Sequence, residues 1–313
     1  MKNSNTITEG ALFSGIYLLL LIMTVYVPVV GTITMFLLPI PIILYTFKQG
    51  FKSSLVMFIV ITLLSILLAT VFSLPVTILA GLGGITIGLC LHYKKSVYET
   101  WAAGSVAFAV GFVIVFLISQ LLFEVNFIDE MNVMVEQIST QTLNMLEQFG
   151  EVPEETVQLF EQQMNQITYL IPVMIGIAGI VYSFLAIWIG FKVLNRIYKK
   201  SYSFPPFRKF RLPISVVWYY FLSVVIMWIE PEQGTLLNQA ASNVSMLVGL
   251  LLVLHGLSFI AHYVHVKNKS KGLFVTAIVL IVLLPTLFIY PIRILGIIDL
   301  GFNLRDRLSE EKK

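Results

Sequence analysis

The chain has 313 residues, of which 58% are hydrophobic and only 12% charged, about half the share usual in soluble domains, and its mean hydropathy is +0.89. That composition excludes a disordered chain, a nucleic-acid-binding domain and almost any soluble enzyme, while a single cysteine, Cys90, excludes a disulfide framework and a Cys-rich metal module. The net charge of +3 matters less than where the charges sit.

Inside lipid a backbone must satisfy its own hydrogen bonds, and about 20 apolar residues in a helix cross a core of about 30 Å. Apolar runs cover 7–28, 31–47, 54–72, 74–92, 98–123, 168–192, 213–229, 240–264 and 272–290, with none of the period-2 alternation of a barrel. The first does not read as a cleaved signal peptide, since only Lys2 precedes it and Val27-Pro28-Val29-Val30 is a poor cleavage site. The second is short and contains Pro39 and Pro41, which predicts a kink. Small residues recur four apart in several runs: Gly10/Ser14 and Ala11/Gly15 in the first, Gly84/Gly88 in the fourth, Ala103/Ala107/Gly111 in the fifth, Gly179/Ser183 and Ala186/Gly190 in the sixth. Such stripes let helices approach closely in lipid. Most should pack internally; the stripe Gly10, Ala11, Ser14 and Gly15 could instead face a partner helix.

Between the fifth and sixth runs lies an acidic segment, 124–166, with nine carboxylates and no Lys or Arg. Its apolar residues recur at steps of three and four, which predicts two amphipathic helices, 127–148 and 154–166, broken at Gly150 to Pro153. The segment 193–212 is basic and aromatic, a membrane anchor or a docking surface. After Pro285 and Pro291 comes a weaker apolar stretch, 292–303. The pieces 272–284 and 292–303 are expected to form a helical hairpin that returns the tail to the side it left, the alternative being a ninth full crossing.

Basic residues set the orientation. With the N-terminus in the cytoplasm, 15 of the 20 Lys and Arg fall in cytoplasmic segments, and the external segments through residue 265 carry none. The expected fold is therefore an all-α polytopic transmembrane helical bundle of about eight to ten membrane segments with an extracytoplasmic amphipathic helical insert. Its divisions are 1–123, five membrane helices; 124–167, the acidic insert; 168–192, the sixth helix; 193–212, the basic loop; 213–303, the C-terminal membrane helices; and 304–313, a charged tail.

Polar residues at membrane depth are costly unless paired or wet, so they are candidates for function. Gln120 and Glu124 lie one turn apart near the external end of the fifth run, and the eighth run contains Asn243, His255 and His262. Seven residues put His255 and His262 about 10 Å apart, too far to clasp one metal ion unaided. Gln120, Glu124, Asn243 and His255 are the candidate ligand-binding residues. Arg208, Lys209, Arg211, Asp299 and Arg305 form a candidate cytoplasmic interface, in which Asp299 and Arg305 could pair, exposed or buried. No hydrolase elbow, Walker loop, HExxH or paired catalytic carboxylates appear, so no enzymatic activity, metal or cofactor is expected.

The opening Thr8-Glu9-Gly10-Ala11-Leu12-Phe13, the acidic insert, and the closing Leu295-Gly296-Ile297-Ile298-Asp299 with Asn303-Leu304-Arg305 resemble the YybS family of bacterial membrane proteins, the DUF2232 domain. That family is similar in turn to the substrate-binding S components of energy-coupling-factor transporters, which have six helices with both termini inside. Ala11/Gly15 and Gly10/Ser14 match only loosely the AxxxA pattern by which S components meet their coupling subunit. The resemblance implies a multi-pass bacterial plasma-membrane protein that binds a small molecule from outside and acts through a membrane coupling subunit. The alternative is a non-transporting scaffold that recruits cytoplasmic proteins. Self-association stays open, and nucleic acid is not expected.

Overall fold

The computed structural model describes residues 2–148, 153, 155–158, 160, 164, 167–230, 232 and 234–310. Among them the only regular structure is helical, and eight helices are long and apolar enough to cross a membrane. The chain divides into two units, Met1–Phe204 and Pro205–Lys313.

The first unit holds α1 (Lys2–Tyr26), α2 (Pro28–Thr34), α3 (Pro39–Gln49), α4 (Phe51–Ala69), α5 (Leu74–His92), α6 (Val97–Phe123), α7 (Phe127–Glu147) and α8 (Ile171–Tyr198). α2 and α3 make up a single candidate span, Pro28–Gln49, interrupted by a 3-10 turn at Met35–Leu37. The predicted kink is a break just ahead of Pro39, whose ring and missing N–H disfavour an uninterrupted helix there. Gly50 turns α3 into α4 at φ 75°, a left-handed conformation that glycine adopts without strain. Ser96 starts α6 with a capping box: the Glu99 N–H donates to Ser96 Oγ, and the Ser96 N–H donates to Glu99 at 2.8 Å.

The helices run up and down, and contacts between distant residues mark the two ends. At one end Tyr45 donates to the Thr6 carbonyl, and His92 Nδ1 lies 2.8 Å from the Phe47 carbonyl. At the other, Thr24 bonds Thr34, Tyr26 donates to the Leu68 carbonyl, and Phe72 stacks on Phe123 with centroids 4.5 Å apart. Lys48, Lys52, Lys94 and Lys95 lie at the first end; Glu124, Asp129 and Glu130 follow the second.

Fully buried Tyr17, Leu21, Ile43, Ile61, Leu79, Ile87 and Phe108 form the core. The GxxxG of α5 faces α3: a Cβ on Gly84 would meet Ile42, and one on Gly88 would meet Thr46 and the Ile43 carbonyl. That close approach supplies the dispersion contact that holds helices together in lipid. Two aromatics just after α8 pack on protein. Tyr202 stacks on Phe191, Phe204 lies against Phe184 and Trp101, and Asn195 bonds both the N–H and the carbonyl of Tyr202 at 2.8 Å. α7 matches the first expected amphipathic helix, and its Asn132 accepts from Thr168 at 2.8 Å. The second expected helix, 154–166, falls largely outside the described residues.

The second unit holds α9 (Ser215–Ile229), α10 (Leu236–Val266), α11 (Gly272–Leu283), α12 (Pro285–Phe302) and α13 (Leu304–Glu310). The 31 residues of α10 extend about 46 Å, longer than a bilayer core. α12 crosses α10 where two glycines face backbone: a Cβ at Gly256 would collide with the Ile292 carbonyl, and one at Gly296 with the Leu252 carbonyl. α11 and α12 form a hairpin that turns at Leu284, but its second arm is longer than the expected 292–303: it starts at Pro285 and carries Pro291 inside the helix. α11 begins beside Phe207, with Phe274 and Phe207 centroids 6.0 Å apart. Beyond α12, Asn303 and Asp306 meet Arg211. Both open ends of the hairpin therefore lie at the same basic segment.

Candidate functional site

Segment 207–212 links a short 3-10 turn, Phe207–Lys209, to α9. Its sequence is basic, yet its backbone is held from within the second unit. Ser258 Oγ on α10 lies 2.6 Å from the Phe207 carbonyl and 2.9 Å from that of Phe210. Arg305, at the start of α13, donates from Nη1 to the carbonyls of Phe210 (2.8 Å) and Arg208 (3.3 Å). Phe210 itself is buried.

Beneath the segment lies a buried charged network. Asp299 Oδ2 accepts from Arg305 Nε at 2.6 Å and stands 2.8 Å from His255 Nε2; Asp299 Oδ1 accepts from the Arg305 main-chain N–H at 3.2 Å. Arg305 Nη2 donates to the His255 carbonyl at 3.2 Å. The Leu212 N–H donates to His255 Nδ1 at 3.3 Å. That bond fixes the tautomer: Nδ1 accepts, so the proton is on Nε2, and the neutral ring donates to Asp299. His255 is 0% exposed, Asp299 1% and Arg305 6%. Burial pulls the Arg305 guanidinium below its ordinary value while the Asp299 carboxylate opposes the shift, and arginine stays charged throughout. Of the two arrangements open to Asp299 and Arg305, the structure has the buried one.

The other interface residues lie around this network. Arg211, partly exposed, reaches Asp306 at 3.3 Å and Asn303; Arg208 is half-buried, and Lys209 is exposed. Asn243 donates to its own helix, to the Gln239 carbonyl at 2.7 Å, and stands about 18 Å along α10 from His255. Gln120 and Glu124 belong to the first unit and are exposed. They do not share a helix face, because α6 ends at Phe123 and Glu124 turns left-handed at φ 56°.

In the first unit, Gly10, Ala11, Ser14 and Gly15 line one wall of a groove of about 620 Å³ between α1 and α4, with Val56 and Val60 opposite. A Cβ on Gly15 would meet nothing within 4 Å. Near the start of α1, Glu9 pairs with Lys48 and accepts from Gln49 at 2.7 Å.

Two functional candidates escape a reading of the sequence alone. Glu9 and Lys48 are 39 residues apart, and nothing in their spacing joins them. Arg293, inside α12, is the other. In the structure it donates to the Tyr220 hydroxyl at 2.9 Å and lies over the rings of Tyr220 and Tyr290. Its being the only cation between Lys271 and Arg305 was the available signal.

Residues 15–300 match the family described as "Predicted membrane protein (DUF2232)". The chain is 31% identical, over 313 residues, to a Bacillus subtilis (strain 168) protein named "Uncharacterized protein YybS", covering 99% of this chain and all of that one. No solved structure matches.

Proposed function

Since this chain belongs to the DUF2232 family of membrane proteins, we propose that it is an S-component-like, multi-pass protein of the bacterial plasma membrane that binds a small molecule and works through a membrane partner. The observation that carries this reading is the grouping of six of the eight candidate spans into one unit, Met1–Phe204. An even number of crossings returns the chain to its starting side, and the basic residues assign that side to the cytoplasm. The groove between α1 and α4 gives a partner helix a place to lie, with Gly15 open to it. The acidic segment then faces outward, with Gln120 and Glu124 near the mouth.

The test has two arms. The purified protein should gain several degrees of thermal stability with one member of a panel of vitamins, metabolites and metal ions. Gly15→Leu should leave the melting temperature unchanged and abolish co-purification of a membrane partner. Absence of any ligand shift together with unchanged partner recovery would overturn the reading.

One observation favours a second reading, a non-transporting scaffold. The backbone of Phe207–Leu212 is pinned by Ser258, His255 and Arg305, so its basic side chains stand on a fixed support. A segment serving only to set orientation needs its charges and no such support. Photo-crosslinking from positions 209 and 307 that retained one cytoplasmic protein, with no solute bound, would favour the scaffold.

A further inference from the structure

At the basic end of the second unit is a pocket of about 540 Å³. We propose that it holds the headgroup of an acidic phospholipid, with the phosphate at its cationic rim and an acyl chain on the adjoining face of α11.

The rim carries Arg208, Lys269 and Lys271, with His265 beside them, and no Asp or Glu lines the pocket. None of these cations has a carboxylate partner among the described residues. An ordinary solvated face mixes both signs; this rim is of one sign and borders an open pocket, the arrangement that suits a phosphodiester. The rim is also held in place. Arg208 is half-buried, and its carbonyl is fixed by Arg305. Past α10 the chain reverses through Asn268 at φ 49°, and the Lys269 N–H returns to the Val264 carbonyl at 2.9 Å.

The walls decide between a lipid and a soluble anion. Phe207, Phe274 and Val275 form the apolar side. Val275 belongs to the exposed apolar face of α11, which continues away from the rim through Val279 (46% exposed) and Val282 (72%). A free phosphate would have no use for that face, whereas a diacyl lipid covers it and the rim together.

The test uses the full-length chain in mild detergent, read by native mass spectrometry and thermal shift. Phosphatidylglycerol or cardiolipin should remain bound and stabilise the protein, while phosphatidylcholine and millimolar inorganic phosphate should do neither. The double variant Lys269→Gln/Lys271→Gln alters only exposed side chains and should weaken acidic-lipid binding by about tenfold or more. Adding Arg208→Gln should weaken it further, and R208K/K269R/K271R should restore it. The control Lys94→Gln/Lys95→Gln, in the first unit, should change nothing. Equal retention of phosphatidylcholine, undiminished binding in the double variant, an equal loss in the control, or a saturable shift with inorganic phosphate alone would overturn the proposal; the last would make the pocket a soluble-anion site.

Discussion

Asp299 is the hinge of the buried network because, among the described residues, it is the one anion facing both His255 and the Arg305 guanidinium. Asp299→Asn keeps the shape and removes the charge, leaving a cation enclosed without its counter-ion. Breaking a buried pair from one side costs about 3–5 kcal/mol. The exposed pair Arg211–Asp306 is the internal comparison: Arg211→Gln should cost about 0–1 kcal/mol. Denaturant unfolding of both variants in the same detergent checks the contrast, and equal losses would show that the network carries no special share of stability. Part of this was legible in the sequence. Asp299 and Arg305 stand out as opposite charges six residues apart at the edge of an apolar stretch. Their other partners are the His255 ring and the carbonyls of Arg208, Phe210 and His255, and a carbonyl leaves no mark in a sequence.

Among the helices, glycines that look alike by spacing do different work. Gly88 touches Thr46 and the Ile43 carbonyl, while Gly15, in a comparable small-residue stripe, faces open space. Gly88→Leu should therefore cost about 1–3 kcal/mol through overpacking, and Gly15→Leu should be neutral in the isolated protein, as thermal melts of both would show. Gly256→Ala should likewise destabilise the crossing of α10 and α12, since the obstacle there is a carbonyl that cannot rotate away. Hydropathy located most spans because lipid demands long apolar runs, and prolines located the breaks at Pro39 and Pro285 because a missing N–H acts locally, but the run 272–290 divides at Leu284 and Pro291 lies inside α12. Which stripe meets which helix depends on three-dimensional pairing, so spacing did not sort internal packing from an open groove. The aromatics Tyr202 and Phe204 show the same limit: composition does not reveal their contacts with Phe191, Phe184 and Trp101.

For the whole molecule, charge asymmetry makes the sharpest prediction. A membrane-impermeant maleimide applied to intact cells should label Glu136→Cys. It should reach Lys200→Cys, Lys269→Cys and Arg307→Cys only after permeabilisation. Native Cys90 is part-buried in α5 and can be replaced by Ala to give a silent background. The position-307 result carries the most information, because the hairpin of α11 and α12 returns the chain beside Arg211. Labelling of 307 and 136 together, with 200 protected, would mean a full extra crossing.

Arg305, Ser258 and His255 grip the stretch 207–212 through its peptide groups, with the Phe210 ring also against His255. Randomising positions 208 and 209 should thus yield mostly well-folded protein, whatever those substitutions do to binding. A proline at 212 or a one-residue insertion should not, because either removes or displaces the amide that His255 accepts from. Homologous chains could accordingly vary what this stretch displays while keeping its course through space.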